Sequence, residues 1–233
     1  MPDAGAVPWT QLRWAVVLVL ALDTATSTLV AGLARWSPDG AAEVLAERAV
    51  PSGNRHAELL TVAVTEVLAD AGLSMADLDA VVTGLGPGPF TGLRVGVVTA
   101  AALADARDRP VVGVCSLDAI GSGARTVVTD ARRKEVYWAT YAADGTRADG
   151  PGVSLPEELA PAGPVVGDAR FADRLGVPVT PAEVTTAGLL RAAAAQLADP
   201  AGLSASTRPT PVPLYLRRPD AVPPTSYKPV TTA

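Results

Sequence analysis

The side chains best able to do chemistry in this chain are few and far apart. There is one histidine, His56, and one cysteine, Cys115, with 58 residues between them. A His/Cys-rich metal centre therefore cannot be assembled, although carboxylates could still hold a cation. A Ser-His-Asp triad would have to use His56, at the start of an amphipathic stretch, and no Gly-x-Ser-x-Gly elbow occurs. The denser signal is Gly84-Leu85-Gly86-Pro87-Gly88-Pro89-Phe90-Thr91-Gly92-Leu93-Arg94-Val95-Gly96, a turn almost without side chains. Its glycines permit positive φ and close backbone approach, its prolines stiffen it, and Thr91 is placed to cap the first amides of a helix. Free amides at a helix start attract anions. Yet the run lacks the Gly-Lys-Ser/Thr ending of a P-loop, and the only lysines are Lys134 and Lys228. Gly84-x-Gly86-x-Gly88 also misses the third spacing of a dinucleotide fingerprint. The segment is open to two readings, a seat for an anion or a stiff strand-to-helix turn.

Two aspartates occupy matching places. Asp23 closes the apolar run Val16 to Leu22 and precedes a second strand from Leu29; Asp130 follows Thr126 to Thr129 and precedes Val136 to Tyr141. The two lie 107 positions apart, and in both copies six positions lead from the aspartate to the next strand. This is the pattern of a duplicated unit. Strand, helix, strand, helix, strand follows the first copy, with Leu78 to Thr83 and Val111 to Val114 as strands, which predicts an open α/β sheet.

The helices carry a second kind of signal. From Leu93 to Arg107 the helix formers continue without a breaker after Gly96, and Gly92, Gly96, Ala100 and Ala104 make a stripe of small side chains. Leu93, Val97, Val98, Ala101 and Leu103 leave this helix apolar nearly all round, so it must be covered on more than one side. Arg55 to Ala71 repeats the problem: Leu59, Leu60, Val62, Ala63, Val64, Val67 and Leu68 form a broad arc edged by Glu58, Glu66 and Asp70. Two such helices could meet a partner's pair in a four-helix contact, or simply serve an internal core. On the first reading, Gly96→Leu or Ala100→Arg should abolish partner binding while the monomer stays folded.

Hydrophobic residues make up 48% of the chain, enough for one large core or two small ones, and the net charge is −5. An acidic surface disfavours unaided nucleic-acid binding. One cysteine excludes an internal disulfide framework, and Cys115 at the end of an apolar run reads as a buried thiol, in keeping with a reducing cytoplasm. Trp14 to Leu22 is too short to span a bilayer, and Asp23 to Thr28 reads as a hairpin turn, so a cytosolic strand is expected there. The expected divisions are a flexible extension at 1–13, a larger lobe at 14–115, a smaller proline-punctuated lobe at 116–199, and a proline-rich segment at 200–233. Within them, Glu183 to Leu197 is the clearest late helix, and Pro213 to Arg217 should pack back on the body because Tyr215 and Leu216 need cover.

Leu20-Ala21-Leu22-Asp23-Thr24-Ala25-Thr26, the Gly86 to Gly96 run, Asp130-Ala131-Arg132-Arg133-Lys134-Glu135-Val136-Tyr137 and Pro213-Leu214-Tyr215-Leu216-Arg217 together resemble the bacterial TsaB (YeaZ) family, in its order, from about Val17 to Arg217. The resemblance implies an actin-like (ASKHA, ribonuclease H-like) duplicated fold of two lobes. It implies a non-catalytic subunit that pairs with the paralogue TsaD in making N6-threonylcarbamoyladenosine (t6A37) in tRNAs reading ANN codons. By the same resemblance the TsaE ATPase acts on the pair, tRNA binds only within the complex and no membrane is involved; whether the isolated chain forms a homodimer through its two apolar helices is left open by the sequence. The TsaD metal pair, His-x-x-x-His, is not repeated here, where Leu60 stands four residues after His56. The expected partner face comprises His56, Leu59, Leu60, Ala63, Val67, Gly92, Leu93, Gly96, Ala100 and Ala104. No cofactor is expected on the isolated chain. A vestigial or interfacial ADP/ATP site would comprise Asp23, Thr24, Thr91, Asp130 and Arg132, since aspartates on these hairpins position magnesium in nucleotide-binding actin-like proteins. Turn capping is the plainer role for both aspartates, and a solvated turn the plainer role for Arg132, Arg133 and Lys134. Two alternatives stay open, an actin-like kinase with ATP of its own and a glycoprotease-like hydrolase.

Overall fold

The computed structural model describes residues 16–53, 55–199 and 210–217; the expectations for 1–13 and for most of 200–233 lie outside them. Strands β1 (Val17–Asp23), β2 (Thr28–Trp36) and β3 (Ala42–Pro51) form an antiparallel meander. Helix α1 (His56–Asp70) leads to β4 (Ala80–Gly84), parallel to β1, and α2 (Phe90–Asp105) leads to β5 (Val111–Val114), parallel to β4. The sheet order is β3-β2-β1-β4-β5.

The second half repeats it. Strands β6 (Arg125–Asp130), β7 (Val136–Tyr141) and β8 (Arg147–Ser154) are an antiparallel meander; β9 (Val165–Gly167) runs parallel to β6 and β10 (Val179–Pro181) parallel to β9. The order β8-β7-β6-β9-β10 is that of the first sheet, so Asp23 and Asp130 end equivalent strands. The places of α1 and α2 are taken by a single turn at Pro156–Glu158 and the short α3 (Ala172–Leu175). Pro151, Pro156, Pro161 and Pro164 crowd this region and stop any longer helix. Strand β8 is not expected from the sequence of the proline-punctuated lobe, because its Gly150 and Gly152 hide a ladder that β7 supplies.

Every residue of β1 is buried, because both faces of the first sheet are covered. Leu18, Leu20 and Leu22 alternate onto the face packed by Leu60, Val64 and Val67 of α1 and Ala100 and Ala104 of α2. Val17, Val19 and Ala21 alternate onto the other face, against Leu189, Leu190, Ala193 and Leu197 of α4 (Thr186–Leu197). Helix α4 follows the second sheet in sequence yet docks on the first. Thr185 Oγ1 caps it, accepting from Gly188 N at 3.0 Å, and Thr186 N donates to Glu47 Oε2 at 2.6 Å. Val127, Tyr137 and Ala139 of the second sheet join the same core, so the lobes share one interior. Among the described residues, no helix is long and apolar enough to cross a membrane.

Candidate functional site at the lobe junction

The glycine-proline turn closes on the β1–β2 turn. Asp23 is fully buried; its Oδ1 accepts from Ala25 N at 2.8 Å and its Oδ2 accepts from the Ser116 hydroxyl. Ser116 Oγ in turn accepts from Gly86 N at 3.0 Å, and Ser116 N donates to Gly86 O at 2.8 Å. Thr24 Oγ1 donates to Gly92 O at 2.8 Å. The glycines are there for close approach: a Cβ on Gly84 would lie 1.7 Å from Asp23 Oδ2, one on Gly88 2.2 Å from Ala25 O, and one on Gly96 2.2 Å from Thr24 Oγ1. Burial pushes the Asp23 carboxyl up to about 6, against the opposing pull of the Ser116 and Ala25 hydrogen bonds. Here the turn acts as a packed joint, with Asp23 and Thr24 spending their polar atoms inside it.

Asp130 and Arg132 sit differently. They open onto a cavity of about 370 Å³ between the lobes, walled on one side by Ala25, Thr26, Ser27 and Pro89. Asp130 Oδ1 accepts from Arg132 N at 2.8 Å, and Arg170 Nη2 lies 3.0 Å from Asp130 Oδ2 and 2.7 Å from Asp168 Oδ2. Thr91 is exposed in the first turn of α2 and caps nothing; the cap position belongs to Pro89, whose fixed φ suits that place. The five residues expected around a nucleotide are therefore divided among the sealed joint, the cavity and the outer helix face. Sequence reasoning missed Ser116 and Arg170. Ser116 meets Asp23 across 93 positions and Arg170 follows an ordinary Gly-Asp step, so neither leaves a local signal.

The residues assigned to a partner face need a correction of direction. His56, Leu60, Ala63, Val67, Gly92, Leu93, Gly96, Ala100 and Ala104 are all buried within the monomer, and Leu59 is half-buried. The small stripe of α2 admits Thr24 and the sheet core, because only side chains of that size let the helix lie so close. Gly96→Leu and Ala100→Arg would thus break the fold before testing an interface. His56 Nδ1 shares a 2.8 Å hydrogen bond with Ser52 Oγ, and its Nε2 faces Gly92. Burial, then the nearby Arg132 charge, holds the imidazole below its ordinary value, so it stands neutral as a helix-start residue. What α1 and α2 leave in solvent is the opposite face, where Val62 is 54% and Val98 62% exposed. Cys115 is buried, and burial followed by the Asp118 charge raises its thiol to about 11. Among the described residues no group of three His, Cys, Asp or Glu is placed to hold a metal.

Comparison with known proteins follows the same lines. The family model described as TsaD, tRNA N6-adenosine threonylcarbamoyltransferase, matches residues 46–212. An uncharacterized Mycobacterium tuberculosis protein is 50% identical over 219 residues, 91% of this chain and 97% of its own. The Escherichia coli protein named tRNA threonylcarbamoyladenosine biosynthesis protein TsaB is 35% identical over 134 residues, about half of each chain (54% and 55%). Among solved structures, YeaZ from Pseudomonas aeruginosa superposes with a TM-score of 0.67 at 28% identity, covering 84% of this chain and 100% of that one. A second structure, described as an uncharacterized protein with similarity to peptidase YEAZ from the same organism, gives 0.69 at 27%, covering 86% and 100%. With the twice-repeated sheet order and the glycine-proline joint already in view, these matches make the chain a member of the tRNA N6-adenosine threonylcarbamoyltransferase family, on its TsaB (YeaZ) side, with the actin-like fold of YeaZ.

Proposed function

We propose that this chain is an accessory subunit in the biosynthesis of N6-threonylcarbamoyladenosine in tRNA, binding and activating a TsaD-type transferase in the cytoplasm and carrying no catalytic residue of its own. One observation carries the reading. Helices α1 and α2 pack side by side over the first sheet yet keep Val62 and Val98 more than half exposed, one large aliphatic side chain on each otherwise mixed outer face, on a chain whose family is named for that transferase. A partner's helices laid there would complete a four-helix contact. The same face would serve a homodimer when the chain is alone, a TsaE-type ATPase would act on the heterodimer, and tRNA would bind only the assembly. ADP or ATP at the partner interface finds a partial fit: Arg132 can meet a phosphate, whereas Asp23 and Thr24 are sealed in the joint.

Light scattering after size exclusion tests this, with the chain run alone and then with the TsaD paralogue of the same genome. A one-to-one complex is expected. Val62→Arg and Val98→Arg should each weaken it at least tenfold, about 1.4 kcal/mol, with the melting temperature unchanged because both positions face solvent. No association at micromolar concentration, together with ATP binding by the chain alone, would replace this reading with an independent actin-like function.

A further inference from the structure

The β6–β7 turn is built at a cost that its role as a connection does not explain. Arg132, Arg133 and Lys134 are consecutive, exposed and all left-handed, with φ of 64°, 49° and 67°. Side chains other than glycine and the short Asn and Asp rarely adopt this region, and three in succession persist only where the surroundings over-determine them. Here the surroundings do so from both ends. Arg217 Nη1 donates to Ala131 O at 2.8 Å and its Nη2 pairs with Glu135, gripping the two residues that flank the turn. Arg174 Nη1 donates to Lys134 O at 2.6 Å while its other nitrogens hold Glu157. Arg217 is itself fixed by the strap before it, where Leu214 N donates to Leu85 O at 2.7 Å and Tyr215 stacks on Phe90 at 4.9 Å. The carboxylates around the turn are engaged from outside it, Asp130 and Asp168 by Arg170, Glu135 by Arg217 and Glu157 by Arg174, and from within the turn Arg132 lies 3.8 Å from Asp130.

We propose that this turn is a preshaped cationic knuckle that meets the phosphate backbone of RNA in the assembled complex, with Arg133 and Lys134 as contact residues and Arg217 as the positioning residue. The inference rests on the function proposed above, which brings RNA to the complex. An overall charge of −5 gives the chain no general field for RNA, so a contact has to be local, and these are the only three consecutive cations in the chain. Holding them in a fixed left-handed arc removes the ordering cost that three flexible cations would otherwise meet on binding.

The test uses the complete complex with the transferase and a tRNA transcript, reading affinity against salt. The double variant Arg133→Gly/Lys134→Gly removes both charges and suits the left-handed backbone better than the parent residues. It should melt at or above the parent temperature and assemble normally, yet bind tRNA roughly tenfold more weakly, with a log-log salt slope shallower by about 1.5. A purely structural turn would not move stability and RNA affinity in opposite directions. Arg217→Ala, with every charge of the knuckle kept, should also weaken tRNA binding, and Arg217→Lys should restore part of it through Glu135. Unchanged affinity and slope in the glycine variant would overturn the proposal while leaving the accessory function intact. Failure of the parent chain to assemble with the transferase would overturn both.

Discussion

Gly84→Ala is expected to cost this fold on the order of 3 kcal/mol or more, the upper part of the range for overpacking a core. The new methyl would lie 1.7 Å from Asp23 Oδ2 and 2.5 Å from Ser116 Oγ. Neither neighbour can retreat freely, because each is held by backbone amides, Asp23 by Ala25 N and Ser116 by Gly86 N. At roughly 2–4 °C per kcal/mol for a chain of this size, the melting temperature should fall by about 10 °C. Gly96→Ala should be milder. The three atoms nearest its methyl all belong to the Thr24 side chain, Oγ1 foremost at 2.2 Å, and that side chain can rotate away at the loss of its bond to Gly92 O, about 1 kcal/mol. Thermal and urea denaturation of both variants read the order directly. A Gly84→Ala melting point within 2 °C of the parent would show that the joint is loosely packed, and the account of these glycines would fall.

That prediction marks where the sequence was legible and where it was not. The repeated strand-Asp-turn-strand unit was readable because strand pairing here is local, with β1 joined to β2 and β6 to β7 by short turns. Helices α1 and α2 were readable from uninterrupted helix formers, and both fall within three residues of the expected limits. The covering of their faces was not readable. The stripe Gly92, Gly96, Ala100 and Ala104 reports that something comes close; periodicity alone does not distinguish Thr24 of the same chain from a helix of another. Docking of α4 on the first sheet, through Leu189 and Leu190 against Val19 and Ala21, is equally silent, since the contacting segments lie more than 160 positions apart. The same holds for Asp23 and Ser116: each looks like a turn residue, and only the fold makes them partners.

The Asp23 carboxyl gives the second large effect. Its native value of about 6 lies above the 3.8 of the unfolded chain because burial penalises the charge more than Ser116 and Ala25 favour it. Below pH 4 both states are protonated and the group does not bear on stability. Between about pH 4 and 6 the unfolded chain has released this proton and the native protein still holds it, so stability falls as pH rises, by about 3 kcal/mol in all. Above pH 6 both states are ionised and the loss is complete. The surface carboxylates Asp77, Asp144 and Glu157 are shifted the other way by their hydrogen-bond partners, so their stabilisation is gained as pH rises to the unfolded values of 3.8 for Asp and 4.5 for Glu, at or near the acid edge of this window. A difference measurement separates them from Asp23. In Asp23→Asn the amide oxygen can still accept from Ala25 N and the amide nitrogen can donate to Ser116 Oγ, so the joint survives without a titrating group. The urea-unfolding free energy of the variant relative to the parent should rise by about 3 kcal/mol between pH 4 and pH 7. A difference constant across that interval would mean that Asp23 ionises normally in the native protein. The aspartate would then be hydrated from the inter-lobe cavity, and the joint would be open to water and small ions.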